Sequence, residues 1–153
     1  MRHVSTIALT IGAFTAGIFA AHYAPRAEAA PVPIVAQAVD VAAITAADLP
    51  APASGSIRSK LFVDAEDVTL GVYIGPSLRH YHSNSNEFQY IISGTGSEWF
   101  GDKTIALKPG MLLIIPKGMI HGGVTGDVKL IGIKTPPQAP DDNHPVPTTG
   151  ART

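Results

Sequence analysis

Short apolar runs separated by glycine and proline fill the chain between residues 56 and 135, and this punctuation limits the fold more than any other feature. The runs have the length and the β-branched and aromatic content of strands, and they cover 57–63, 68–74, 79–83, 87–92, 97–100, 104–107, 111–115 and 128–133. Turn-forming segments such as Gly75-Pro76 and Lys108-Pro109-Gly110 lie between them. No run has the length of an amphipathic helix, so a βαβ architecture is disfavoured. The pattern predicts an all-β sandwich or barrel in one domain, residues 56–135.

The N-terminal residues have the composition of a targeting segment. Residues 1–29 start with a positive charge at Arg2, continue without charge from Val4 to Ala21, and end in small residues around Glu28. We therefore expect a signal peptide that is cleaved after Ala29 and an exported protein, periplasmic or secreted. An uncleaved apolar run of this length would instead be a membrane anchor.

The segments that flank the predicted barrel have little apolar content with which to form a core. Residues 30–55 are rich in alanine and proline and are predicted to be a linker, and residues 136–153 are predicted to be a disordered tail. His144 in this tail, and His3 and His22 near the start, are expected to be solvated or removed with the signal.

Charge and cysteine content exclude several functions. Eleven Lys and Arg against twelve Asp and Glu give a formal net charge of -1 over 153 residues, and no basic stripe is present that would bind nucleic acid. The chain has no cysteine, which excludes a disulfide framework, a thiolate zinc site and a thiol nucleophile.

Three histidines and one glutamate have a spacing that is typical of a metal site. His80 and His82 are two residues apart, so an extended strand presents both imidazoles on one face. Glu87 follows a polar turn and can return beside them in a hairpin, and His121 would have to arrive from a distant strand. Three imidazoles and a carboxylate suit a divalent ion such as Fe, Mn, Ni, Cu, Co or Zn and leave positions open for water or substrate.

The same residues resemble two motifs of the cupin family. The first motif is matched by Gly75, His80, His82, Glu87 and Gly94, and the second by Gly110, Pro116, Gly118 and His121. The resemblance implies an antiparallel jelly-roll barrel of six to eight strands with disordered flanks. It also implies a metal ion in the barrel mouth, held by the three histidines and Glu87, and pairing of two chains into a homodimer through an edge strand.

Three departures from the family pattern leave every ligand in place. The spacing between Gly75 and His80 is one residue shorter than usual, Thr125 stands where an asparagine is common, and Met111 stands where an aspartate is common.

Alternation along the strand that holds Glu87 places Gln89 on the same inward face, so Gln89 is expected next to the metal. An ordinary hydrogen-bonded barrel residue is the alternative for Gln89. Tyr73, Arg79 and Trp99 are candidates for the mouth of the barrel, although aromatic residues in small barrels mostly serve packing. No residue is assigned as a general acid or base.

A metal-dependent enzyme that acts on a small oxygenated organic molecule is the first functional hypothesis, with a dioxygenase-like oxidation as its leading form. A zinc-type isomerase or lyase is one alternative, and a non-catalytic module that binds a small ligand or a sugar is another. A purely structural metal is disfavoured, because structural sites usually close with four tight ligands and have no open mouth.

Overall fold

The computed structural model describes residues 30–52 and 56–147, which contain ten antiparallel strands arranged in two five-stranded sheets. The first sheet has the order β1 (Arg58–Asp64), β2 (Thr69–Ile74), β9 (Lys129–Thr135), β4 (Asn86–Ser93) and β7 (Leu112–Ile115). The second has the order β10 (His144–Pro145), β3 (Arg79–Tyr81), β8 (His121–Gly126), β5 (Gly96–Phe100) and β6 (Lys103–Leu107). The predicted all-β, antiparallel jelly-roll architecture is confirmed, with more strands than expected.

Side chains from both sheets fill the interior of the barrel. The buried cluster consists of Ile91, Leu107, Leu113, Ile115, Val124, Val128 and Leu130. Alternation sends these residues inward while their neighbours face outward, as in β7, where Leu113 and Ile115 are buried and Leu112 and Ile114 are exposed. Burial of this apolar surface is the main force that holds the two sheets together.

All eight predicted runs became strands, but two of the ten strands, β8 and β10, were not predicted. Gly122 and Gly123 were interpreted as a turn, whereas the structure places both inside β8 at φ +82° and +67°. These dihedral angles favour glycine, and the register between β8 and β5 shifts between Ser97 and Trp99. The glycines therefore mark a distorted strand, because the same left-handed conformation serves a turn and a bulge.

The predicted linker is packed against the barrel over residues 30–52. Val32 exchanges backbone hydrogen bonds with Asp64 at 3.0 and 2.7 Å, and a single turn of 3-10 helix spans Ala46–Asp48. Leu49 is buried against Phe62 and Val72 on the outer face of the first sheet. Residues 30–52 are therefore more than the predicted linker, because β1 and β2 carry apolar side chains on their outer face and this segment covers part of them.

The predicted disordered tail is also ordered over residues 136–147. Its β10 pairs with β3, so that His144 lies opposite Tyr81, and the Val146 amide donates to the Arg79 carbonyl at 2.9 Å. His144 was expected to be solvated, and instead it is partly buried with its ring stacked on Tyr81 at 4.8 Å between centroids. Composition misled the prediction because backbone pairing and polar contacts, rather than apolar burial, hold this segment.

The predicted signal peptide, with His3 and His22, lies outside the described residues, as do residues 53–55 and 148–153. Over the part of the chain that the structure covers, none of the helical segments has the length and apolarity that crossing a membrane requires.

Candidate metal centre

The two sheets bring all four predicted ligands together. His80 on β3 is paired with His121 on β8, Glu87 lies on β4 in the opposite sheet, and His82 follows directly after β3. One donor atom from each of the four lies within 4.8 Å of the donor atoms of the others, and His82, Glu87 and His121 are buried. The distant strand that was expected to deliver His121 is β8.

Backbone carbonyls determine the tautomer of each imidazole. Nδ1 of His80 lies 2.7 Å from the Leu78 oxygen, Nδ1 of His121 lies 3.0 Å from the Met119 oxygen, and Nδ1 of His82 contacts the Asp142 oxygen. A carbonyl oxygen can only accept, so each Nδ1 carries the proton. Nε2 of each ring is therefore the nitrogen with a free lone pair, and orientation of this kind is typical of metal-binding histidines.

Two of these lone pairs are directed at a carboxylate oxygen. Nε2 of His82 lies 3.0 Å and Nε2 of His121 lies 3.1 Å from the same Oε2 of Glu87. These three atoms are acceptors when the rings are neutral and the carboxylate is ionised, so a proton or another cation must lie between them. Three nitrogens and one oxygen in this arrangement fit a divalent ion of the first transition series, and His80, His82, Glu87 and His121 would hold it.

The titration properties of the four groups follow from burial and from one another. Burial opposes the charge of Glu87, but the Lys134 ammonium and the hydrogen bonds from His121 and His82 outweigh it and hold the pKa of Glu87 well below its usual range. Burial also opposes a charge on His121, and the hydrogen bond and negative charge of Glu87 outweigh it and raise the pKa of His121. Burial, followed by the positive charge of His121, lowers the pKa of His80 to about 4.

The other oxygen of Glu87 has polar neighbours of its own. Gln89 faces inward, as alternation predicted, and its Nε2 donates to Oε1 of Glu87 at 3.1 Å. Lys134 on β9 lies opposite Glu87 in the register, with Nζ 3.8 Å from Oε1 of Glu87 and 3.3 Å from the Tyr73 hydroxyl. Lys134 was not predicted as a site residue, although it has the inward phase of Leu130 and Gly132 on the same strand.

A second buried carboxyl was also missed. Glu98 on β5 has no exposed surface, and its Oε1 accepts a hydrogen bond of 3.0 Å from the Gly122 amide, next to His121. Its Oε2 has no hydrogen-bond partner among the described residues. Burial raises the pKa of Glu98 to about 7. Glu98 lies in the middle of a predicted strand, between Ser97 and Trp99. Alternation along that strand places Glu98 on the opposite face from these two neighbours, and this was the signal in the sequence.

Asp142 supports the centre from the C-terminal segment. Its carboxylate accepts hydrogen bonds from three consecutive amides, those of Ser83 at 2.6 Å, Asn84 at 3.1 Å and Ser85 at 3.1 Å. Its own carbonyl oxygen is the acceptor for Nδ1 of His82. Burial alone would raise the pKa of Asp142, but these backbone hydrogen bonds outweigh it and lower that pKa. One residue therefore holds both the loop after β3 and the orientation of a candidate ligand.

The ligands open into a cavity of about 280 Å³. His80, His82 and Glu87 form part of its wall, and Tyr73, Gln89 and Lys134 also line it. Tyr73 was a candidate for the mouth, and the structure places it there. Arg79 and Trp99 were candidates too, but they are not among the lining residues, and the Arg79 guanidinium instead lies 4.3 Å from the Trp99 ring centroid.

Comparison with known proteins agrees with this architecture. Residues 72–131 match the family model described as the cupin domain. The chain thus contains a small cupin domain, and its two sheets carry a buried cluster of three histidines and a glutamate that is compatible with a divalent metal.

Several solved structures have a similar fold at low sequence identity. The nucleoside dehydratase Pac13 from Streptomyces is 14% identical, with a TM-score of 0.57, over 67% of this chain and 88% of that one. The polyketide cyclase RemF from Streptomyces resistomycificus is 20% identical, with a TM-score of 0.54, over 70% and 86%. KdgF from Halomonas sp. is 18% identical, with a TM-score of 0.51, over 57% and 86%. A search of curated proteins found no significant match.

Proposed function

We propose that the cupin domain binds one divalent metal ion through His80, His82, Glu87 and His121, and that the protein is an enzyme acting on a small oxygenated organic molecule. One observation carries the proposal. Donor atoms of three imidazoles and one carboxylate converge within 4.8 Å, and His80, His82 and Glu87 form part of the wall of a cavity of about 280 Å³. A cavity of this size suits a small molecule rather than a polymer.

The chain's residues would have distinct tasks in such an enzyme. The carbonyls of Leu78, Met119 and Asp142 hold the imidazole rings in one orientation. Gln89 holds the second oxygen of Glu87, and the apolar barrel interior beneath the site excludes water. A bound ion would supply polarisation of a substrate oxygen and, if it is redox-active, the means to use molecular oxygen. A dioxygenase-like oxidation is the leading form of the proposal.

A second form, an isomerase or lyase, is favoured by a different observation. The Tyr73 hydroxyl and the Lys134 ammonium lie 3.3 Å apart, and both line the cavity. An ammonium and a hydroxyl in this position can donate protons, which suits protonation of a substrate at or next to a carbonyl and needs no redox-active metal. Zinc, which has no redox chemistry, could polarise the carbonyl in this reaction, whereas the oxidation would need a redox-active ion such as iron.

Metal loading followed by turnover assays tests the proposal. The purified protein is loaded separately with Fe(II), Mn(II), Ni(II), Cu(II) and Zn(II), and elemental analysis should give about one ion per chain for the wild type. The His82→Ala variant should bind the ion at least about tenfold more weakly. Equal metal content in both proteins would contradict the site.

The two enzymatic forms differ in their need for oxygen. Oxygen uptake with a panel of small acids, phenols and enols would support the oxidation, and anaerobic turnover of the same panel, followed by NMR, would support the isomerase or lyase. A protein that binds panel members and turns over none of them would be a binding module.

A further inference from the structure

Lys134 is a buried cation whose hydrogen-bonding capacity is largely unused. Only 5% of the surface of Lys134 is exposed. Its ammonium group carries three N–H donors. The Tyr73 hydroxyl accepts one of them at 3.3 Å, whereas Oε1 of Glu87 at 3.8 Å is too distant for a hydrogen bond. Two donors of a buried charge therefore have no acceptor among residues 30–52 and 56–147.

The Tyr73 hydroxyl has the complementary property. Because the lysine has no lone pair when charged, the hydroxyl oxygen accepts from Lys134 and keeps its own proton available for another acceptor. The ring is positioned by a glycine on β9, since a Cβ at Gly132 would lie 2.7 Å from Cε2 of Tyr73. Lys134 Nζ then lies 4.8 Å from the centroid of the same ring. Ammonium and hydroxyl thus present donors side by side at the cavity wall.

The charges around the cavity favour an anion at this place. Glu87 and Lys134 are the only charged side chains among the described residues that line it, and their charges cancel. The three imidazoles are neutral when they bind a metal. An ion held by the four ligands would therefore leave the cavity with a net positive charge that the lining does not neutralise, and in a site with little water such a charge attracts an anionic ligand strongly.

We propose that Lys134 and Tyr73 form an anion-binding subsite beside the four candidate ligands, which receives the carboxylate of a small organic acid. This inference rests on the proposed function, and it narrows the substrate from oxygenated molecules in general to organic acids. The alternative role for Lys134 is a counter-ion that only balances Glu87. A counter-ion would influence metal binding and stability, but it would not distinguish a charged ligand from a neutral ligand of the same shape.

Matched pairs of probes make that distinction. Acetate is compared with acetamide, and benzoate with benzamide, because each pair has nearly the same shape and differs in charge. Binding to the zinc-loaded protein is measured by ligand-observed NMR and calorimetry. The wild type should prefer each carboxylate over its amide, and Lys134→Met should weaken carboxylate binding by about tenfold or more while it changes amide binding by less than about threefold.

Three variants control the experiment. Tyr73→Phe removes only the hydroxyl and should reduce carboxylate binding by a smaller factor, and Lys134→Arg keeps the charge and should restore most of the preference. Lys60→Met removes a lysine that is exposed on β1 and should have no effect. Zinc content and circular dichroism establish whether each variant is folded. If Lys134→Met does not fold, the subsite is tested with the other two variants: weaker carboxylate binding in Tyr73→Phe and a retained carboxylate preference in Lys134→Arg would support it.

The outcomes separate this inference from the proposed function. If the wild type holds no metal, the proposed function fails, and a carboxylate preference that still depends on Lys134 would support the subsite by itself. If metal binds as expected but the preference for carboxylate is absent from the wild type or unchanged in Lys134→Met, the subsite is wrong and Lys134 is a counter-ion of Glu87.

Discussion

Replacement of Asp142 by alanine tests whether the C-terminal segment is part of the metal centre. The carboxylate of Asp142 is the acceptor for the amides of Ser83, Asn84 and Ser85, and its residue is only 1% exposed. Alanine removes this acceptor and frees the segment that presents the carbonyl to His82. We expect two effects, a loss of stability and a weaker metal site.

The magnitudes follow from the contacts. A hydrogen bond to a charged group contributes roughly 1.5–3 kcal/mol, and water can replace part of three such bonds in a surface loop, so the free energy of unfolding should fall by about 2–4 kcal/mol. Loss of the group that orients a metal-bound histidine typically weakens metal binding by about 10–100-fold. The stabilisation should also depend on pH. Because the pKa of Asp142 is lowered in the folded protein, its contribution is present above the usual aspartate pKa and is lost as the pH falls through the lowered value.

Chemical denaturation and metal titration of Asp142→Ala measure both effects, with Asp141→Ala as the matched control because Asp141 is the exposed neighbour. The control should behave as the wild type. The free energies of unfolding of wild type and Asp142→Ala should converge in acid. Wild-type stability together with wild-type metal affinity in Asp142→Ala would refute the reasoning, since the segment would then be only a cover.

Three further predictions concern the centre itself. His82→Ala should lose metal affinity by at least about tenfold, because it removes a candidate ligand. His144→Ala should change the metal affinity much less, since His144 reaches the centre only through a contact of 3.5 Å between its Nε2 and the carboxylate of Asp142; equal losses would contradict the ligand assignment. Gln89→Leu should shift metal affinity or turnover through Glu87 and change the melting temperature by only a few degrees, and a large loss of stability with unchanged function would show that Gln89 serves the fold. Because the pKa of Glu98 is raised in the folded protein, the free energy of unfolding should fall as the pH rises from about 4.5 to 7, where the folded protein keeps a proton that the unfolded chain releases. Glu98→Gln should remove this fall, and an unchanged pH profile of the variant in denaturant titrations would contradict the prediction.

The strands and the candidate ligands could be predicted because both are local signals. Alternation with period two determines which face a side chain takes, so the spacing of His80 and His82, and the phase of Glu87 and Gln89, were sufficient to bring them to one side. The glycines of β8 were predicted wrongly as a turn. A left-handed glycine is compatible with a turn or with a bulge, and only the pairing of this segment with β3 and β5 decides between them.

What the sequence by itself determined is the barrel, eight of its ten strands and the set of three histidines with Glu87. Only the tertiary structure decided the surroundings of that set: the lysine that faces Glu87 from β9, the buried carboxyl of Glu98, and the return of Asp142 to the loop at Ser83, 59 residues earlier in the chain. The reason is physical. Strand faces depend on neighbouring residues, whereas a hydrogen bond or an ion pair between distant segments depends on how the whole chain packs, and leaves no periodic pattern in composition.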